Sequence, residues 1–80
     1  MTVTVYTKPR CTQCNHVKGE LAKHGIEYEE APINDRVLTL ARIKGWTAAP
    51  IVVSKEHPEY SFSGAETHQV EDFIAKHQED

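Results

Sequence analysis

Two cysteines lie three positions apart near the N-terminus, in the stretch Cys11-Thr12-Gln13-Cys14. A segment rich in β-branched residues precedes this stretch and a segment with helical periodicity follows it, so the pair falls where a strand passes into a helix. Side chains three apart on a helix have Cβ atoms about 5–6 Å apart, which is close enough for a disulfide after a small adjustment. The spacing therefore predicts two thiols that form and break a disulfide bond.

The first cysteine is expected to be the more reactive thiol. Cys11 falls at or next to the start of the helix, where free N–H groups and the macrodipole favour negative charge, and Lys8 and Arg10 add positive charge. Cysteines in such settings have pKa values of about 3.5–7.5, against about 8.5 for a free thiol, so we expect Cys11 to be partly ionised at neutral pH. Cys14 lies one turn further along and is expected to face inward and keep its proton.

These unequal thiols suit the two steps of disulfide exchange. Cys11 would attack a partner disulfide, and Cys14 would then attack the Cys11 sulfur and release the reduced partner. Neither step needs a metal or an organic cofactor. Two other interpretations stay open, an inert buried pair and half of a zinc site. Zinc would need two further ligands, and the five histidines are spaced too widely to supply them, so we expect those histidines to be solvated surface residues.

The segments around the motif predict the unit that positions it. Residues 2–7 are nearly all β-branched or aromatic and predict a strand, which Lys8-Pro9-Arg10 ends. A helix is predicted over residues 12–24, with Gly25 just past its end, and a second strand over residues 26–31. A strand, a helix and a strand in this order form a βαβ unit, so the two strands should be parallel.

The second half of the chain predicts two more helices and two more strands. Asn34 offers a cap for a helix that ends near residue 44, before Gly45, and residues 50–53 form an apolar strand. A turn over residues 55–58 and a weak strand over residues 60–62 follow. Ser63 and Glu66 have capping-box spacing, with Ser63 as the cap. The first of these helices is expected to turn three residues inward, namely Val37, Leu40 and Ala41. One face of the last helix is expected to carry Val70, Phe73, Ile74 and His77.

The resulting order, βαβαββα, is typical of an α/β fold of the small thioredoxin-like, glutaredoxin type. This fold has a four-stranded mixed sheet flanked by three helices. No linker or repeat interrupts the sequence, so residues 1–80 are expected to form a single domain.

Charge and hydropathy exclude several classes of function. The net charge is −3 and the isoelectric point is near 5.9, which argues against a nucleic-acid binder. No signal peptide and no run of about 18 apolar residues is present, so we expect a soluble, cytoplasmic protein with no membrane partner. Residues 1–25 carry four basic residues against one acidic, a net charge of +3, whereas residues 56–80 carry one basic against seven acidic, a net charge of −6.

A proline loop is the second candidate element of a site. Pro50 either begins a strand or forms a cis peptide bond that leaves the Ala49 backbone free to pair with an extended peptide. The sequence alone leaves both interpretations open. Trp46, just before the loop, either packs in the core or contacts a partner.

These motifs together resemble the NrdH-redoxin family of glutaredoxin-like proteins with thioredoxin-like activity. The resemblance covers essentially the whole chain, and Gln13 distinguishes it from other glutaredoxins, in which Pro-Tyr often fills the motif. It implies a cis Pro50 beside the disulfide, a class Ib ribonucleotide reductase as partner, and electrons from NADPH through thioredoxin reductase. We also expect the protein to be a monomer. Its implied partner-binding residues are Lys8, Gln13, Trp46, Ala49, Pro50, Ser63 and Gly64.

One stretch departs from the family pattern. Where the family carries a Trp-Ser-Gly-Phe-x-Pro-Asp-like sequence, residues 62–68 match only at Ser63 and Gly64, with Phe62 as an aromatic substitute. A glutathione-dependent glutaredoxin is therefore kept as an alternative, although the second Gly and the Asp typical of glutathione sites are missing and Glu66 would repel glutathione carboxylates. A zinc-binding or partner-binding module that uses Cys11 and Cys14 is the alternative from another class.

Overall fold

Alternating β-branched residues build one of the two inner strands of the sheet. The computed structural model describes residues 2–78, and its first strand, β1, buries Val3 and Val5 completely while Thr4 and Tyr6 remain half-buried. The elements in chain order are β1 Val3–Thr7, α1 Thr12–Lys23, β2 Glu29–Pro32, α2 Asp35–Lys44, β3 Ile51–Ser54, a 3-10 turn Pro58–Tyr60, β4 Phe62–Ser63 and α3 Thr67–Gln78.

The four strands form one mixed sheet in the order β2-β1-β3-β4. β1 and β2 are parallel, as the βαβ unit predicts, whereas β3 is antiparallel to both β1 and β4. Val5 lies opposite Val52 in the β1–β3 pair. The predicted α/β class and the thioredoxin-like, glutaredoxin-type arrangement are confirmed. None of the helices within residues 2–78 is long and apolar enough to cross a membrane.

The helices cover both faces of the sheet. Successive side chains of a strand point to opposite faces, so Val52 and its neighbours Ile51 and Val53 enter different clusters. Helices α1 and α3 pack with Val52, and α2 packs with Ile51 and Val53. The first cluster consists of Val3, Val5, Val17, Leu21, Ile26, Val52, Phe62, Val70, Phe73 and Ile74. This arrangement leaves the ends of β1 and β3 free to carry a site.

Two strand positions predicted from sequence are wrong. The second strand begins at Glu29 and not at residue 26, because the Ile26 N–H donates to the Leu21 carbonyl (2.9 Å) and completes the end of α1. The fourth strand comprises Phe62–Ser63 and not residues 60–62, because Tyr60 belongs to the 3-10 turn. β1 and β3 lie within one residue of their predicted bounds.

The predicted capping box at the start of α3 is also wrong. Gly64 has φ +83°, a left-handed backbone that turns the chain after β4, and α3 begins only at Thr67. Glu66 caps the helix instead, since its carboxylate accepts the N–H groups of His68 (3.1 Å) and Gln69 (3.0 Å). These backbone hydrogen bonds, that of His68 first, lower the pKa of Glu66 from its ordinary value of 4.5.

His77 is buried, which contradicts the expectation that the histidines are solvated. Its ring is 2% exposed and stacks on Phe73 with ring centroids 4.0 Å apart. Nδ1 lies 2.7 Å from the Phe73 carbonyl and Nε2 lies 2.7 Å from the Ser54 hydroxyl. A carbonyl only accepts, so Nδ1 donates to it, and in the tautomer that carries this one proton Nε2 accepts from Ser54. The two hydrogen bonds satisfy both ring nitrogens and join α3 to β3.

Candidate active site

The first cysteine caps helix α1 with its sulfur. Cys11 has an extended backbone (φ −106°, ψ 100°), and its Sγ accepts the N–H of Cys14 at 3.1 Å. An N-cap side chain normally offers an oxygen to this N–H group, and here sulfur takes that place. Cys11 therefore lies where the sequence predicts, at the positive end of the helix.

The two cysteines are joined in a disulfide, with Cα atoms 5.2 Å apart. Cys14 is 2% exposed and faces the interior, whereas Cys11 is 8% exposed. Both pack against Ala49 and the half-buried Ile33. The structure thus describes the oxidised form, and partial ionisation of the free Cys11 thiol stays a prediction.

The proline loop lies directly against this disulfide. The Ala49–Pro50 peptide bond is cis, which decides between the two interpretations that the sequence left open. Within residues 2–78, neither the N–H nor the carbonyl of Ala49 has a hydrogen-bonding partner. An unpaired N–H and carbonyl beside a disulfide offer an extended peptide a place to add main-chain hydrogen bonds.

Ser63, which belongs to β4, and Gly64, which follows it, hold this loop in place. The Gly64 N–H donates to the Pro50 carbonyl at 2.8 Å, and the Ser63 hydroxyl donates to the Ala48 carbonyl at 2.8 Å. A Cβ on Gly64 would lie 3.3 Å from the Ala48 Cβ. Ser63 and Gly64 therefore support the loop from behind and do not themselves line the grooves beside the cysteines.

Two shallow grooves run past Cys11, and the basic residues Lys8 and Arg10 line both of them. The first groove is lined by Lys8, Arg10, Cys11, Thr12, Gln13, Thr47, Ala48 and Ala49. The second is lined by Thr7, Lys8, Arg10, Cys11, Thr12, Cys14, Asn15, Lys18 and Glu30. These grooves place positive charge on both sides of the exposed edge of the disulfide.

An ion pair closes the far side of the second groove. Lys18 Nζ lies 3.0 Å from Glu30 Oε2, and the Thr7 hydroxyl donates to the same oxygen at 3.2 Å. The hydrogen bond from Lys18 is the main cause that lowers the pKa of Glu30 from its ordinary value of 4.5. Lys18 is thus engaged within the protein, in contrast to Lys8 and Arg10.

Most residues predicted for partner binding gather around the cysteines. Lys8, Gln13 and Ala49 line the first groove, and Pro50 is buried beneath it. Trp46 is half-buried against the α2 side of the sheet and also lines an adjoining groove with Lys8 and Ala49. Trp46 therefore packs against the core and remains accessible beside the loop, and its contact with a partner stays a prediction.

Arg10 lines the grooves as well, whereas its sequence position predicts only positive charge near Cys11. It has φ +57° and projects into both grooves. The Lys-Pro-Arg break immediately before Cys11 was the available signal, because a turn residue next to a reactive cysteine lies within reach of whatever binds there.

As for metals, within residues 2–78 no three or more His, Cys, Asp or Glu side chains form a group that could hold an ion.

Comparison with known proteins agrees with this geometry. The glutaredoxin family model matches residues 3–58. The glutaredoxin-like protein NrdH of Lactococcus lactis subsp. lactis is 34% identical over 64 residues, covering 78% of this chain and 85% of that protein. The global transcriptional regulator Spx of Listeria innocua is 43% identical over 42 residues, but these cover 52% of this chain and only 32% of Spx.

A solved structure extends the likeness to three dimensions. The glutaredoxin-like NrdH-redoxin from Escherichia coli, described as having a thioredoxin-like activity profile, superposes with a TM-score of 0.67 at 28% identity, covering 90% of this chain and 93% of that one. With its Cys11–Cys14 disulfide and this fold, the chain belongs to the glutaredoxin family as an NrdH-redoxin, a thiol–disulfide oxidoreductase.

Proposed function

We propose that this protein carries electrons to a class Ib ribonucleotide reductase by reducing its active-site disulfide, and that thioredoxin reductase re-reduces the Cys11–Cys14 pair. The likeness to NrdH proteins supports the choice of partner. The observation that carries the proposal is the position of Cys11, whose Sγ accepts the Cys14 N–H at the start of α1 and which packs in one cluster with Ala49.

The first chemical step belongs to Cys11. In the reduced protein the Cys14 N–H and the positive end of α1 stabilise the Cys11 thiolate. This thiolate attacks one sulfur of the partner disulfide, so that the partner S–S bond breaks and a Cys11–partner S–S bond forms. The second partner sulfur leaves with the electron pair and takes a proton from water.

The second step belongs to Cys14. Its thiol gives its proton to solvent and attacks Cys11 Sγ, which breaks the mixed disulfide and releases the second partner thiol. Two electrons have then passed to the partner, and the protein is left in the disulfide form that the structure describes. The thiol pair alone carries both electrons, so the proposed reaction uses no metal and no organic cofactor.

The partner segment would dock as an extended strand. Its backbone would pair with the free N–H and carbonyl of Ala49, and this would bring its cysteine beside Cys11. Lys8, Gln13 and Trp46 would contact its side chains from the groove walls. We propose that the protein acts in this way as a cytoplasmic monomer.

Glu66 favours thioredoxin reductase over glutathione as the reductant. Its carboxylate already accepts the N–H groups of His68 and Gln69. Glu66 lies two residues beyond Gly64, whose N–H holds the Pro50 carbonyl. The start of α3 therefore presents the Glu66 carboxylate, whereas free N–H donors there would attract a ligand carboxylate. Glutathione carries two carboxylates and would be repelled there.

NADPH oxidation with a disulfide substrate tests the route of electrons. The protein is mixed either with thioredoxin reductase or with glutathione and glutathione reductase. We expect turnover with the first system, its loss in Cys11→Ser, and a trapped mixed disulfide with the partner in Cys14→Ser. A purified class Ib ribonucleotide reductase supplies the second arm, where the reduced protein should sustain deoxyribonucleotide formation.

Turnover only with glutathione would establish the glutathione-dependent alternative instead. Stoichiometric zinc in protein purified under reducing conditions, without redox-dependent loss of two thiols, would establish the zinc module.

A further inference from the structure

The residue immediately before the reactive cysteine has an unusual backbone. Arg10 is the one non-glycine among the described residues with a positive φ, at +57°. Glycine, asparagine and aspartate adopt this left-handed conformation readily, whereas arginine has no local reason to favour it. Backbone outliers of this kind cluster at functional sites, so the Arg10 side chain is a candidate for a role beside Cys11.

The Arg10 side chain is exposed and lines both grooves beside Cys11. Lys18, the third cation of the second groove, is bound to Glu30 at 3.0 Å. Arg10 and Lys8, in contrast, make no ion pair or hydrogen bond through their side chains to any of residues 2–78. Two unpaired cations therefore flank the sulfur that a substrate disulfide must reach.

Negative charge on α3 contrasts with these two cations near Cys11. Glu66 and the exposed Glu71 and Asp72 make the α3 side acidic. An acidic segment of a partner is attracted to the cysteine end and repelled from α3, so charge orients it before contact. Arginine also offers a planar pair of N–H donors that matches a carboxylate better than the ammonium of lysine does.

We propose that Arg10 determines specificity by binding a carboxylate that flanks the disulfide of a peptide segment in the protein substrate. The inference rests on the proposed disulfide-exchange chemistry and names the class of segment that this site prefers, an acidic one. The carboxylate is bound and released unchanged, so electrons and protons follow the two steps given above. Glutathione disulfide also carries carboxylates and is the second source that the experiment must separate.

The test compares two synthetic peptides that each contain one intramolecular disulfide. In the first peptide Glu flanks both cysteines, and in the second Gln takes each of these places. Stopped-flow measurement gives the second-order rate constant for oxidation of the reduced protein by each peptide. We expect the acidic peptide to react about fivefold faster at low ionic strength, since exposed charges interact weakly, and the ratio should decline as salt is added.

Three variants assign this preference to the guanidinium. Arg10→Asn suits the left-handed backbone and removes the charge, so the ratio should fall to about one to two. Arg10→Lys should retain an intermediate ratio. Lys23→Gln removes an equal charge at the far end of α1, outside both grooves, and should keep the ratio of the unaltered protein.

The outcomes separate this inference from the proposed function. An equal rate with both peptides, or an unchanged ratio in Arg10→Asn, overturns the role of Arg10 while disulfide exchange stands. Failure to reduce either peptide overturns both. Dependence on Arg10 with glutathione disulfide but not with the peptides would show that the carboxylate comes from a small molecule, and this too overturns the assignment to a peptide segment.

Discussion

Replacing Gly64 with alanine should damage both the fold and the redox reaction. Gly64 has φ +83°, and an alanine Cβ there would lie 3.3 Å from the Ala48 Cβ. The substitution therefore adds two costs. One is a backbone conformation that alanine disfavours, and the other is a close contact with the proline loop. That loop is held to Gly64 by the hydrogen bond from its N–H to the Pro50 carbonyl.

The two costs can be given magnitudes. A left-handed conformation costs an L residue about 1–2 kcal/mol, and overpacking against Ala48 should add about 1 kcal/mol. Gly25→Ala is the matched control, because Gly25 has φ +73° and its added Cβ would meet no atom of residues 2–78 within 4 Å. In a chain of this size, 1 kcal/mol lowers the midpoint of thermal unfolding by about 4–8 °C.

Thermal unfolding of the oxidised proteins and the rate of peptide-disulfide reduction together form the assay. We expect Gly25→Ala to lose stability and to keep the rate constant. Gly64→Ala should lose more stability and react more slowly, because a shift of the loop moves Ala49 relative to Cys11. Equal losses of stability together with unchanged rates in both variants would refute the argument that Gly64 positions the loop.

Three further substitutions test other parts of the structure. Arg10→Asn should raise the free energy of unfolding in urea by about 1 kcal/mol, since asparagine tolerates the left-handed backbone, and a decrease would contradict the strain. Ser54→Ala should cost about 1–3 kcal/mol by leaving His77 Nε2 without its donor, and a double-mutant cycle with His77→Leu should show coupling between the two. Glu66 has a lowered pKa, so its stabilisation is present above its unfolded value of 4.5 and is lost as the pH falls through the lower folded value. Glu66→Gln should lack this part of the acid-induced loss of stability, and identical pH profiles for the two proteins would contradict it.

Elements that begin and end through local contacts were predictable from sequence. Helix α2 shows this clearly, since Asn34 Oδ1 accepts the Val37 N–H at 3.0 Å and Gly45 ends the helix with φ +74°. Both signals lie within a few residues of the boundaries they set. The cysteine site follows the same rule, because the Cys11 cap and its Cys14 donor are three positions apart.

Elements that depend on distant partners were not predictable in the same way. Ser63 looked like a helix cap, but its hydroxyl donates to Ala48, 15 positions away. The spacing of the histidines argued against a zinc site and left His77 as a solvated residue, but its Nε2 lies 2.7 Å from Ser54, 23 positions away. A local pattern shows that a side chain can make a hydrogen bond, whereas only the fold selects among the available partners.

The site is thus held by two systems of hydrogen bonds with different ranges. The local one caps Cys11 and belongs to α1, and the long-range one runs from β4 to the proline loop through Ser63 and Gly64. The departure from the family pattern at residues 62–68 falls on the second system, yet it spares the two residues that make these bonds. Phe62 keeps an aromatic ring in the core, 5.4 Å from that of Phe73. The altered positions beyond Gly64 include Glu66, which caps α3 without bonding to the loop. Divergence here should therefore change which partner or reductant is accepted, while the thiol chemistry at Cys11 stays the same.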